Sequence, residues 1–210
     1  MKPNLSILIC TMEQRASLYK RLEDKLVRQL PSTAEVEYFV LKDRGELSIG
    51  EKREKLKHKA TGEYIVYIDD DDLISRNYIR NILATINNPY KIKPDAIGIK
   101  GIYTTDGKNR RRLFCSNIYR SWKDEGNKVI RPVNHLNPVK REIALQAPFP
   151  SIYYGEDRFY SEALKDLITT EIMAPGWLYW YDYRPNNSQS VAMDIKDNSK
   201  GLKMLQAAGL

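Results

Sequence analysis

The sequence predicts an α/β fold: a mostly parallel central sheet flanked by helices, with an added β-hairpin and a small subregion in the second half. Three observations predict it. Strand-like and helix-like segments alternate three times within the first ninety residues. A turn signature between two further strand-like runs then replaces the alternation. Finally, four consecutive aspartates, Asp69 to Asp72, end the third predicted strand. In open parallel sheets ligands sit beyond the carboxyl ends of strands, so these carboxylates mark a candidate site.

The elements follow in order. Residues 5–10 are a short apolar run and read as a buried strand. Leu18, Leu22, Leu26 and Leu30 recur every fourth residue, one face of a helix that Pro31 ends. Residues 36–41, β-branched and aromatic, read as the second strand. A helix over 48–60 has Ser48 as N-cap, Glu51 to complete a capping box and Gly62 as its C-cap. Residues 63–68 form the third strand. Ser75 is then expected to cap a helix running to about Asn87, with Ile79, Ile82, Leu83 and Ile86 inward. Runs 96–103 and 112–119 around Asp106-Gly107 predict the hairpin, followed by a polar loop. Short helices are expected near 140–146 and from Gly155-Glu156-Asp157 to about Leu167, and strands at Ile172 and from Trp177 to Tyr183. With no internal repeat or low-complexity linker, residues 1–210 read as one domain. The run 201–206 reads as a helix with no closing element, which fits either one domain of a longer polypeptide or a homodimer.

Composition narrows the class. Apolar residues are 42% and charged residues 29% of the chain, too apolar for disorder. No apolar run approaches the ~20 residues that span a bilayer, and the start lacks a signal-peptide layout. The expectation is therefore a cytoplasmic protein with no transmembrane segment. Cys10 and Cys115 read as buried free thiols. The net charge of +7 suits a polyanionic partner, whether a nucleotide diphosphate, an acidic glycan, a membrane face or DNA, without choosing among them.

Four adjacent carboxylates repel one another unless something compensates, and the usual compensation is a hard divalent cation with oxygen ligands. Side chains alternate along a strand, so Asp69 and Asp71 share one face while Asp70 and Asp72 take the other. An Asp-x-Asp pair at a strand end can hold a ribose hydroxyl and a metal-bound diphosphate together. The plainer alternative is an exposed acidic turn.

The run Leu5-Ser6-Ile7-Leu8-Ile9-Cys10-Thr11 resembles the opening strand of family 2 glycosyltransferases. Ser48-Ile49-Gly50-Glu51-Lys52-Arg53, and Ala60 through Asp72, resemble that family's central block, and Gly155-Glu156-Asp157 its later acidic motif. The order and spacing of the set, across roughly residues 5 to 165, carry the resemblance. It implies a GT-A fold, a nucleotide-diphospho-sugar donor (a UDP-sugar favoured) and Mn²⁺ or Mg²⁺. It also implies a division into a donor half, about 1–95, and an acceptor half, about 96–210. By position, Asp69 and Asp71 are the Asp-x-Asp pair, with Asp71 the direct metal ligand and Asp70 beside them in the nucleotide-sugar site. Thr11 and Asp43 would line the nucleoside pocket, and Lys52 and Arg53 would face the base or diphosphate.

Sugar transfer requires stabilisation of the departing diphosphate and removal of a proton from the acceptor hydroxyl. Asp157 is the expected base and Glu156 the fallback, although acidic residues at a helix start also suit its dipole. One base without a nucleophilic carboxylate implies inversion at the anomeric carbon. His135 is a candidate third metal ligand, or a loop hydrogen-bonding residue. Lys140 and Arg141 are diphosphate contacts or surface charges. The aromatics Trp177, Tyr179, Trp180, Tyr181 and Tyr183 offer either a glycan-stacking platform or cross-strand packing.

Three rivals remain. A nucleotidyltransferase would carry a Gly-rich basic loop after the first strand, which the run 10–15 does not supply. A nucleic-acid-binding module leaves the aspartates unexplained. The third is a glycosyltransferase whose acceptor is a modified base in DNA, which the net charge permits without demanding.

Overall fold

The structure, a computed structural model, describes residues 2–90, 92–184 and 195–210. β1 (Leu5–Met12) is buried along its whole length and pairs in parallel with β2 (Val36–Asp43) and β3 (Tyr64–Tyr67), giving the order β2-β1-β3. Alternation sends Leu5, Ile7 and Ile9, with Val66, to one face of this sheet. There they meet Leu22 and Leu26 of α1 (Ala16–Val27) and Ile79, Ile82 and Ile86 of α3 (Tyr78–Ile86). Leu8, Cys10, Ile65 and Tyr67 face the other way, onto Ile49 and Leu56 of α2 (Ile49–Lys59) and Tyr160 and Leu164 of α5 (Glu156–Leu164). The predicted helix–sheet–helix layering is what the chain forms.

The second half is built on one long strand. β5 (Ala96–Thr105) pairs near its start with β9 (Val139–Lys140) and β10 (Glu171–Met173). Farther along it pairs with β6 (Lys108–Cys115) and β11 (Tyr179–Tyr183). The expected β5–β6 hairpin turns at Asp106 and Gly107, both left-handed with φ of 48° and 72°, so Asp-Gly supplies the conformations that a tight turn needs. The polar loop predicted after it holds two strands that the sequence did not signal, β7 (Lys123–Glu125) and β8 (Lys128–Arg131). β7 is wholly exposed and charged, so it has no apolar alternation to read. A one-turn helix α4 (Arg141–Ala144) and the C-terminal α6 (Ile195–Ala207) complete the chain. Among the described residues no helix is long and apolar enough to cross a membrane.

Two local expectations are corrected. Gly62 is not a left-handed C-cap. α2 ends at Ala60, and Gly62 instead lets its backbone N–H reach Ser6 Oγ at 2.8 Å, where an added Cβ would lie 2.6 Å from that oxygen. Ser75 is not a side-chain cap either. The preceding residues form β4 (Leu73–Ile74), paired with β11, and α3 begins only at Tyr78, after Asn77. The Ser48–Glu51 capping box forms in full.

Candidate active site

β3 stays hydrogen-bonded to β1 through Ile68, whose N–H donates to Leu8 O. The chain then turns tightly, Asp72 N–H donating to Asp69 O at 3.1 Å. This turn gives the four aspartates alternating environments. Asp70 and Asp72 are only 1% and 2% exposed, whereas Asp69 and Asp71 turn partly outward into a cleft of about 520 Å³.

Each carboxylate has its own partners. Asp70 accepts from Thr11 Oγ1 at 2.7 Å and from Arg15 Nε and Nη2 at 3.0 and 2.6 Å, and Arg15 Nη2 also lies 2.9 Å from Asp71. Asp69 accepts from Arg53 Nη2 at 2.9 Å and faces His135 Nε2 at 3.2 Å. Burial raises the Asp69 carboxyl, but Arg53 and His135 outweigh it and hold it well below the usual carboxylate range. Asp71 is pushed upward by burial and by Asp69 and Asp70, despite Arg15. Asp72 rises for the same reasons, burial first and then Asp71 and Asp69; one of its oxygens accepts from Asp182 N–H and, among the described residues, the other has no hydrogen-bond partner.

The start of α5 lines the same cleft. Gly155, at φ 84°, turns the chain so that Glu156 and Asp157 open the helix at the cleft. Glu156 is buried with Oε1 3.3 Å from Arg53 Nε, and burial pushes its carboxyl up against the pull of that guanidinium. Asp157 is half-buried at the cleft wall. His135 is held rigidly, because its carbonyl accepts from Tyr67 N–H and the flanking Asn134 and Asn137 close a turn around it. Among the described residues its Nδ1, like Arg53 Nη1, is buried without a hydrogen-bond partner.

The structure thus brings Asp69, Asp70, Asp71, His135, Arg53, Glu156 and Asp157 to one cleft. Thr11, Asp43 and Lys52 do not line it. Lys52 is buried, donates to Thr11 O at 3.1 Å and pairs with Asp43, tying the ends of β1 and β2 together. Lys140 pairs with Asp95, and Arg141 donates to Ala60 O, so both brace the fold away from the cleft. Of the aromatic run, Tyr181 and Tyr183 line the cleft, while Tyr179 is buried with its hydroxyl accepting from Asp69 N–H. Trp177 packs edge-on against Phe114, and Trp180 Nε1 donates to Thr104 Oγ1.

Arg15, Tyr103, Trp122, Arg131 and Arg158 line the cleft and were not singled out from the sequence. None of them carries a local sequence signal; Arg15, for example, meets Asp70 across 55 positions.

Among the described residues no three carboxylate, imidazole or thiol side chains are gathered to hold a metal ion. The donor chemistry nevertheless fits a hard cation. Asp69 and Asp71 offer partly exposed carboxylate oxygens, and the crowding that pushes Asp71 upward is what a divalent charge would relieve.

No protein-family model and no curated protein sequence matches the chain. Solved structures do. The structure of S. aureus TarS 1–349 in complex with UDP-GlcNAc superposes with a TM-score of 0.64 at 14% identity, over 92% of this chain and 62% of that one. The same protein in complex with UDP gives 0.63, 14%, 89% and 62%. The mannosyltransferase PcManGT from Pyrobaculum calidifontis, in complex with GDP-Man and Mn²⁺, gives 0.58 at 13% identity, over 90% of this chain and 59% of that one. The chain therefore spans about 60% of the length of the structures it resembles. Helix-covered parallel strands, an aspartate turn at a strand end and these superpositions agree on one architecture: the chain has the GT-A glycosyltransferase fold.

Proposed function

We propose that the protein is a glycosyltransferase that moves a sugar from a nucleotide-diphospho-sugar, a UDP-sugar favoured, to an acceptor hydroxyl, with inversion at the anomeric carbon. The observation that carries this reading is the cleft itself. Strand-end carboxylates Asp69 and Asp71 and a separate carboxylate, Asp157 at the start of α5, line the same cleft. The nucleotide-sugars in the TarS and PcManGT complexes, and the Mn²⁺ in the latter, support the donor class.

Asp71 and Asp69 would hold Mn²⁺ or Mg²⁺, with His135 available beside Asp69. When bound, the cation neutralises charge building on the leaving diphosphate. Arg53, which lines the cleft beside Asp69, adds positive charge on the side where the diphosphate departs. Asp157 accepts the acceptor's hydroxyl proton as its oxygen attacks the anomeric carbon and the bond to the diphosphate breaks. Glu156, buried against Arg53, fixes the orientation of that guanidinium.

The test is thermal stability against UDP, GDP, CDP and TDP, each with Mn²⁺ and with a chelator. A ligand that binds only the folded state raises the melting temperature by mass action. One nucleotide is expected to raise it, and chelator or Asp71→Ala to abolish the rise. No rise with any nucleotide at millimolar concentration would overturn the donor assignment.

A further inference from the structure

Away from the aspartates, the cleft wall changes character. Two guanidiniums lie over the Trp122 ring, Arg131 at 4.9 Å and Arg158 at 5.3 Å from its centroid. Close by, Tyr103 and Tyr181 are stacked at 5.4 Å and 11°, with the Arg111 guanidinium 4.5 Å over Tyr103. Arg131 and Arg111 share a single carboxylate, Asp124, at 2.8 Å each. Among the described residues no carboxylate lies within ion-pair distance of Arg158. The wall therefore keeps a surplus of positive charge next to flat rings. Exposed Lys108, Arg110 and Lys128 extend that charge outward along β6 and β8.

A neutral glycan needs the rings and not the guanidiniums, and a simple polyanion needs the guanidiniums and not the rings. A ligand that uses both carries stacking faces together with anionic groups. A nucleic acid does so, its bases stacking on aromatic and guanidinium planes while arginines take the backbone. An acidic glycan is the competitor that the experiment separates. We infer that the acceptor is a nucleic acid, whose base-bearing nucleotide enters the cleft unpaired and stacks on the Trp122 and Tyr103–Tyr181 wall. The inference rests on the glycosyltransferase reading for its chemistry: a hydroxyl carried by that nucleotide attacks the anomeric carbon, its proton passes to Asp157, and the nucleoside diphosphate departs. An unstacked nucleotide is required because a base inside a duplex cannot reach the strand-end carboxylates.

The experiment is fluorescence anisotropy of the full chain with a labelled single-stranded oligodeoxynucleotide of about 16 nucleotides, in a salt series from about 50 mM. Heparin serves as the competitor without bases. Binding is expected to weaken steeply with salt, and the oligonucleotide is expected to outcompete heparin at equal charge. Trp122→Ala is expected to weaken oligonucleotide binding about ten-fold while heparin affinity stays the same. Arg158→Gln, which removes charge and keeps most of the stem, is expected to lower the salt slope, and it provides a second reading if Trp122→Ala does not fold. Absence of binding at low salt would overturn the inference. Equal affinity for heparin, with no effect of Trp122→Ala, would also overturn it and favour an acidic glycan. The two readings fail separately: loss of the nucleotide-dependent thermal rise, with oligonucleotide binding kept, counts against the transferase and not against this surface.

Discussion

Arg15 clamps Asp70 with two nitrogens and reaches Asp71 with one of them, and both Arg15 and Asp70 are buried. Removing one partner of a buried pair strands the other charge, which costs about 3–5 kcal/mol. Arg15→Ala is therefore expected to lose stability on that scale in urea unfolding; a loss below about 1 kcal/mol would show that the aspartates relieve themselves by taking up protons. Asp157→Asn belongs to the chemistry instead. Transfer is expected to fall by ~10²–10⁴ with the nucleotide-dependent thermal rise intact, and full activity would remove Asp157 from the mechanism. The aspartates were legible because their meaning is local: acidic residues in series after a buried strand. Arg15 was not, because its partner Asp70 lies 55 positions along the chain and only the fold unites them.

Among the elements, α2 is the one whose placement sets the site, since it delivers Arg53 to Asp69 and Glu156. Its first turn is pressed against the 150–152 segment. Gly50 N–H donates to Ile152 O, and a Cβ on Gly50 would sit 1.8 Å from Pro150 O. Gly50→Ala is therefore expected to displace the helix start, destabilise by about 1–3 kcal/mol and reduce the nucleotide-dependent thermal rise. Unchanged melting in both respects would show that the loop yields freely. The start of α2 was readable because a capping box is built from residues three apart. The stretch around Ser75 was misread for the opposite reason. Residues 73–74 are recruited by β11, more than a hundred positions later, and that pairing overrides the capping preference.

At the scale of the molecule, Asp95 ties distant parts together at the entry to β5. It pairs with Lys140 at 3.0 Å and accepts from Thr169 N and Oγ1 and from Thr170 N. Burial raises its carboxyl, but the hydrogen bonds from Thr169, Lys140 and Thr170 prevail and hold it well below the usual range. A lowered native pKa contributes stability above the unfolded value, about 3.9, and loses it as pH falls through the native one. Asp95→Asn is expected to destabilise clearly near neutral pH, with the gap from the natural chain narrowing below about pH 4 in urea titrations. A gap independent of pH would contradict this assignment. The layered α/β half was legible at this scale from its periodicities. The aromatic wall was not, since β7 is wholly charged, β8 offers only two adjacent apolar residues without alternation, and the contacts of Trp122 join three separated segments.

β5 begins beside β9 and β10 and ends between β6 and β11. One continuous beam thus runs from the β9 and β10 pairings to the Tyr103 and Tyr181 side of the cleft. Gly101 marks the place where that beam is most constrained, for a Cβ there would lie 2.5 Å from Tyr179 O. The outer hairpin can accumulate changes in length and charge without moving the beam's inner end. Under the proposed function, remodelling β6 to β8 would change the aromatic wall while β1, β3 and the aspartate turn keep their pairing.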